Sequence, residues 1–182
     1  ATCAVAFWLL VWHVVSLCVG SELVLVSPVK VVQTLFTVIF DPNFLKTVWY
    51  SAARILGGFF TALTLGTVLG WVASRFWVVE TLLRPITAVI KATPVASFII
   101  LVLLWFSGKN LSVIISMLMV FPVIYMNVLE GIRSADEKLL EMAQVFRLSV
   151  GKKLLYIYLP AVAPFFVSAC SVSLGLCWKS GI

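Results

Sequence analysis

Residues Leu111 to Leu129 read LSVIISMLMVFPVIYMNVL, nineteen residues without one charge. A stretch of this kind, roughly 17–25 residues long, spans the hydrocarbon layer of a bilayer as an α-helix. Beside it, Ile132 to Lys153 holds Arg133, Asp136, Glu137, Lys138, Glu141, Arg147, Lys152 and Lys153. A long uncharged run beside a charged, amphipathic one is the contrast between a span and a loop. The same contrast recurs along the chain.

Working outward, Leu82 to Phe106 is apolar but interrupted by Pro85, Lys91 and Pro94. Pro94 has no N–H for the carbonyl four residues back, so the helix should kink or break near Thr93. Ser107 to Asn110 reads as a turn, and Arg75 to Arg84 as a short connection. Thr47 to Ala73 is a second span, with Gly57, Gly58, Gly66 and Gly70 along it and Arg54 about two turns inside. Small residues at such spacing let helix backbones approach closely in lipid. Ala4 to Gly20 is another span and carries His13. Between these two, Ser21 to Lys46 has apolar residues at near-helical spacing and a turn signal at Asp41-Pro42-Asn43. It reads as a helix lying on the membrane surface. Leu154 to Trp178 is the last apolar run, with Pro160 and Pro164 near its start. The expected fold class is all-α: a polytopic transmembrane bundle of five spans, forming one membrane domain over residues 1–182.

Composition agrees. Apolar residues make up 63% of the chain, mean hydropathy is +1.16, and only 11% of residues are charged; soluble domains average about 25%. The net charge of +6 is spread through the gaps between apolar runs, without a basic patch interleaved with aromatics. This argues for membrane orientation and against nucleic acid. Cys3, Cys18, Cys170 and Cys177 lie in apolar stretches with no C-x-x-C spacing and no neighbouring His, so they read as packing residues and not as a metal or redox site. The chain begins at Ala1 and ends at Ile182, and both ends read as cut.

Lys and Arg counts orient the bundle. Arg75, Arg84, Arg133, Lys138, Arg147, Lys152 and Lys153 fall on one side; Lys30, Lys46 and Lys109 fall on the other. The richer side is expected to be cytoplasmic, which places residues 132–153 inside and 21–46 outside. In the inner loop, Ser134 and Glu137 have capping-box spacing. A helix is therefore expected from Ala135 to Phe146 or Leu148, with Leu139, Leu140, Ala143 and Phe146 as its apolar stripe.

Glu141-Met142-Ala143, followed by Ile157-Tyr158-Leu159-Pro160, resembles the EAA loop of the permease subunits of ABC-type importers. That pattern reads E-A-A, three residues, G, nine residues, I-x-L-P. Met142 and Arg147 depart from it; Arg147 stands where the glycine would, and Gly151 is the nearby residue able to supply flexibility. Ser27-Pro28-x-x-Val31, Ser51-x-x-Arg54-x-x-x-Gly58, Pro94 with Leu104-Trp105-Phe106-x-Gly108, and Phe121-Pro122-x-x-x-Asn127 resemble the nitrate/sulfonate/taurine-type branch.

The resemblance implies a bacterial inner-membrane, multi-pass permease subunit that is not itself an enzyme. Its 135–148 helix would couple to a cytosolic ATPase dimer through Ser134, Glu137, Glu141, Ala143, Arg147, Gly151, Leu159 and Pro160. An extracytoplasmic binding protein would deliver a small anionic or organic solute. A second permease chain, in a homodimer, would complete the path, with the glycine-bearing span as a contact surface. A further span would follow Trp178. The chain has no G-x-x-x-x-G-K-[ST] phosphate loop, so no cofactor is expected on it, and ATP and Mg belong to the partner. Polar residues in spans are the candidates for the path: Arg54, Lys91, Thr93, Pro94, Ser97 and Asn127. Lys91 also reads as an interfacial anchor, and Asn127 as an interhelical hydrogen-bonding residue. The alternative is a secondary transporter or channel, which would use paired intramembrane acids or an internal repeat; neither is visible.

Overall fold

The structure is a computed structural model that describes residues 2–21, 24–106 and 108–181. Its elements are helices: α1 (Thr2–Val19), α2 (Pro28–Val38), α3 (Pro42–Arg75), α4 (Trp77–Ala92), α5 (Val95–Trp105), α6 (Leu111–Arg133), α7 (Glu137–Val145), α8 (Val150–Lys153) and α9 (Leu159–Gly181). No strand occurs among the described residues. Four helical stretches are long and apolar enough to cross a membrane: Thr2–Val19, Pro42–Arg75, Leu111–Arg133 and Val150–Ser180. A fifth candidate is α4 with α5, bent by 107° at the break between them. The chain is thus a polytopic helical membrane protein. It divides into two compact units, residues 1–50 and 51–182.

In the first unit, α2 is a helix within the segment expected to lie on the membrane surface. Ser27 caps it, its hydroxyl accepting from the Lys30 N–H at 3.4 Å, and Pro28 supplies a preset φ in the first turn. Glu22 and Leu23, inside the expected surface segment, lie outside the described residues. The turn read at Asp41-Pro42-Asn43 is instead a helix start. The Asp41 carboxylate accepts from the Asn43 N–H at 2.9 Å, Pro42 opens α3, and the turn itself falls on Ile39 and Phe40.

The second unit is built on α6. Ile115, Val120, Ile124, Tyr125 and Val128 on this helix are almost wholly buried, and α3, α4, α5 and α9 all pack against it. Helix α9 runs antiparallel to it. Gly131 faces Val162 and Phe165 at one end, and the Ser116 hydroxyl donates to the Cys177 carbonyl at 3.5 Å at the other. Helix α3 runs parallel to it. Gly58 lies against Val113 and Ser116, Gly66 against Ile124 and Tyr125, and Gly70 against Tyr125 and Val128. A Cβ at Gly66 would come to 3.0 Å from the Ile124 side chain, and one at Gly131 to 2.9 Å from the Val162 Cα. Without water to squeeze out between helices, such close approach is the main source of association in lipid. Gly58, Gly66 and Gly70 therefore serve packing within the chain, and only Gly57 of the four has open space beside it.

Two connections differ from expectation. The segment from Arg75 to Arg84 is not a loop: Phe76 alone separates α3 from α4, and residues 77–84 are helical because Glu80, Leu83 and Thr87 continue one helix face. The break near Thr93 is as expected, with Thr93 closing α4 and Pro94 opening α5. Of the expected turn at 107–110, Ser107 lies outside the described residues, and Gly108–Asn110 form a 3-10 turn. The last helical stretch begins earlier than its apolar run, at Val150. A π-turn over Leu154–Tyr158 precedes Pro160, with the Leu159 N–H reaching the Leu154 carbonyl. A wider turn here accommodates a ladder that Pro160 cannot continue.

Candidate functional site

The loop between α6 and α9 folds differently from its capping-box reading. Helix α6 runs on to Arg133, so Ser134 closes that helix, and its hydroxyl donates to the Gly131 carbonyl at 2.9 Å. The cap of α7 is Asp136, whose carboxylate accepts from the Lys138 N–H at 2.9 Å. The helix is Glu137–Val145, shorter at both ends than the expected 135–148. Glu137 thus sits in the first turn, where its charge favours the helix dipole, and not three residues past the cap.

Arg147 ends α7. Its φ is +49°, the left-handed conformation that commonly terminates a helix and that glycine adopts without steric cost. The Leu148 N–H reaches the Ala143 carbonyl at 2.9 Å, and the Arg147 N–H reaches the Gln144 carbonyl at 3.0 Å. This pair of bonds satisfies the last carbonyls of the helix. In this chain an arginine takes that conformation, at the position where the resembled pattern has its glycine. Gly151 does not stand in for it, since Gly151 lies inside α8 with helical backbone.

Ala143 has no exposed surface and packs with Ala135 and Ile157, flanked by Leu140, Leu148, Tyr158 and Ala161. A small residue at 143 lets α7 lie close against the start of the last helical stretch. The expected apolar stripe therefore splits. Leu140 and Ala143 turn inward; Leu139 and Phe146 turn outward, joined by Met142 and Val145. Phe146 is 71% exposed and Val145 79%. Glu137, Glu141, Arg147, Gly151, Leu159 and Pro160 are also exposed. The loop is thus a short capped helix, fixed on one side and offering an apolar patch with a carboxylate on the other.

A second site lies between α4 and α6. A cavity of about 290 Å³ is lined by Glu80, Arg84, Lys91, Tyr125, Glu130 and Arg133, with Thr87, Ala88, Met126 and Leu129. Arg133 donates to the Glu80 carboxylate at 2.5 Å, and Arg84 approaches its other oxygen at 3.9 Å. The Thr87 hydroxyl is spent on its own helix, donating to the Leu83 and Arg84 carbonyls. The Tyr125 hydroxyl is buried and has no hydrogen-bond partner among the described residues.

Of the residues read as a translocation path, Lys91 lines this cavity. Thr93 and Pro94 form the α4–α5 break, where the Thr93 hydroxyl donates to the Val89 carbonyl at 2.8 Å. Ser97 is exposed in the first turn of α5. The Asn127 amide donates to the Val123 carbonyl of its own helix at 2.9 Å, so this bond is intrahelical, unlike the one expected of it. Arg54 is half-buried on α3. Sequence reading did not name Glu80, Tyr125 or Arg133 as site residues; a signal for the first was present in an acid placed one turn before Arg84 at the edge of an apolar run. No group of three or more His, Cys, Asp or Glu able to hold a metal occurs among the described residues.

Comparison with known proteins adds to this geometry. The family described as "Binding-protein-dependent transport system inner membrane component" matches residues 62–182. A Bacillus subtilis protein named as an aliphatic sulfonates transport permease is 30% identical over 171 residues, covering 92% of this chain and 62% of its own length. The taurine transport system permease protein of Escherichia coli is 26% identical, covering 93% of this chain and 64% of its own. A nitrate import permease protein of Synechocystis is 25% identical, covering 96% and 66%. The chain therefore spans a little under two-thirds of the length of these relatives.

Proposed function

Because the chain belongs to the family of binding-protein-dependent transport system inner membrane components, we propose that it is the membrane-spanning permease subunit of an ATP-driven importer, and that α7 is its contact with a cytosolic ATPase. The observation that carries this reading is the two-sided build of α7. Ala143 and Leu140 fix the helix to the body of the protein, while Met142, Val145, Phe146 and Glu141 stand free of it. A rigid helix with an exposed apolar patch beside the Glu141 carboxylate suits a docking contact, in which aromatic and aliphatic groups fill a cleft and a charge sets the register.

The parallel run of α3 and α6 supports five crossings. Two parallel spans need a return crossing between them, and α4 with α5 is the chain that joins them. The ion pair from Glu80 to Arg133 supports it too, since it sets the start of α4 level with the end of α6. The Lys/Arg asymmetry then favours a cytoplasmic α7 and an external α2 in a bacterial inner membrane. The relatives are named for nitrate, sulfonates and taurine, which favours a small anionic solute, delivered by an extracytoplasmic binding protein. Hydrolysis of ATP with Mg would take place on the partner ATPase.

Glu141→Lys tests the docking role. The substitution lies on an exposed position, so the chain should reach the membrane in normal amount. ATPase recovered with it should fall about tenfold, equivalent to ~1.4 kcal/mol, and uptake should fall with it. Normal recovery together with normal uptake would remove α7 from the contact.

A further inference from the structure

Glu80 stands in the first turn of α4, Arg133 in the last turn of α6, and 53 residues separate them in sequence. Their side chains meet, and the Glu80 carboxylate is only 13% exposed. A carboxylate this far from water needs its counter-charge, because removing one partner leaves the other desolvated and unpaired. Arg84, the other cation beside Glu80, lies on the same helix. It can neutralise Glu80 but cannot tie it to a neighbour. Arg133 makes that tie.

What Arg133 is joined to matters as much. Only Ser134 and Ala135 separate it from Asp136, the cap of α7. Ala135, between them, is buried with Ala143 and Ile157. The end of α6, the linker and α7 are thus one packed piece. On the other side, α4 is a single helix from Trp77 to Ala92, ending at the 107° break before α5. Glu80 is where the two pieces touch through charge. Along the same seam lies the cavity lined by Lys91 and by Tyr125, whose hydroxyl has no partner among the described residues.

We propose that Glu80 is a positioning residue for transport: through Arg133 it passes displacement of α7 to α4, and so to the broken helix pair. This rests on the reading of α7 as the ATPase contact. Glu80 touches neither solute nor nucleotide; its effect is on how many ATP molecules are spent for each solute carried.

The test uses the assembled complex in proteoliposomes, with recovery of ATPase, ATP hydrolysis and solute uptake measured on the same preparations. Glu80→Gln and Arg133→Gln should keep the ATPase bound and hydrolysing, with ATP hydrolysed per solute carried rising about tenfold, as expected for loss of an ion pair whose carboxylate is nearly buried while its arginine is half exposed. The exchanged pair Glu80→Arg with Arg133→Glu should recover at least part of that loss. If the glutamine variants do not assemble, Arg133→Lys carries the test, since it keeps the charge but loses the planar fork. A wild-type ratio of hydrolysis to uptake in the variants that assemble overturns the proposal. A wild-type chain that retains no ATPase overturns instead the reading of α7, and the two failures are read from different measurements.

Discussion

At Gly57 and Gly58, adjacent residues of one helix have opposite surroundings. A Cβ at Gly58 would overlap the Val113 carbonyl and come to 2.9 Å from the Ser116 Cβ, whereas at Gly57 it would meet nothing within 4 Å. Gly58→Ala should therefore cost about 1–3 kcal/mol by overpacking. Gly57→Ala should be neutral or stabilise by up to ~1 kcal/mol through helix propensity. Thermal unfolding of the two purified variants in the same detergent checks the contrast, and equal behaviour would mean that α3 does not rest on α6 through this face. From sequence the four glycines looked alike, because periodicity says which residues share a face and nothing about which neighbour covers it. Arg147 was marked as a departure from its pattern, yet its positive φ was not legible: arginine carries no propensity for it, and only the helix end imposes it.

Among the elements, the long uncharged helices were the most readable, since length and apolarity alone decide them. Boundaries were harder wherever two signals compete. Ser134 and Glu137 have the spacing of a capping box, but α6 extends through Arg133 and consumes Ser134 as its own end, leaving Asp136 to cap α7. Charge at Arg75, Glu80 and Arg84 suggested a loop, but Glu80 is neutralised by Arg133 across the helix gap and can remain on a helix. The sidedness of α2 and α7 is an element-scale prediction. Gln33→Cys and Lys138→Cys, each in a background without the native cysteines, should label with an impermeant thiol reagent from opposite sides, Gln33→Cys from outside. Labelling of Lys138→Cys in intact cells would invert the topology and remove the ATPase contact with it.

For the whole molecule, one chain offers one α7, and an ATPase dimer would take two. The working assembly should hold two permease chains, most simply as a two-fold homodimer. The shared surface must lie elsewhere than on Gly58, Gly66 and Gly70, which α6 already covers. Native mass spectrometry of the transport-active complex should find two copies; an active complex with a single copy and no second permease would refute it. The bend between α4 and α5 bears on how the molecule sits in lipid. Pro94 has no N–H to offer the Ile90 carbonyl, and the Thr93 N–H and hydroxyl both go to Val89. Where such a break lies within the hydrocarbon layer, a backbone oxygen left over is not tolerated against acyl chains and must meet protein or water. The break therefore favours a wet pocket inside the bilayer, a point where hydration and not side-chain chemistry sets where the apolar barrier is thinnest.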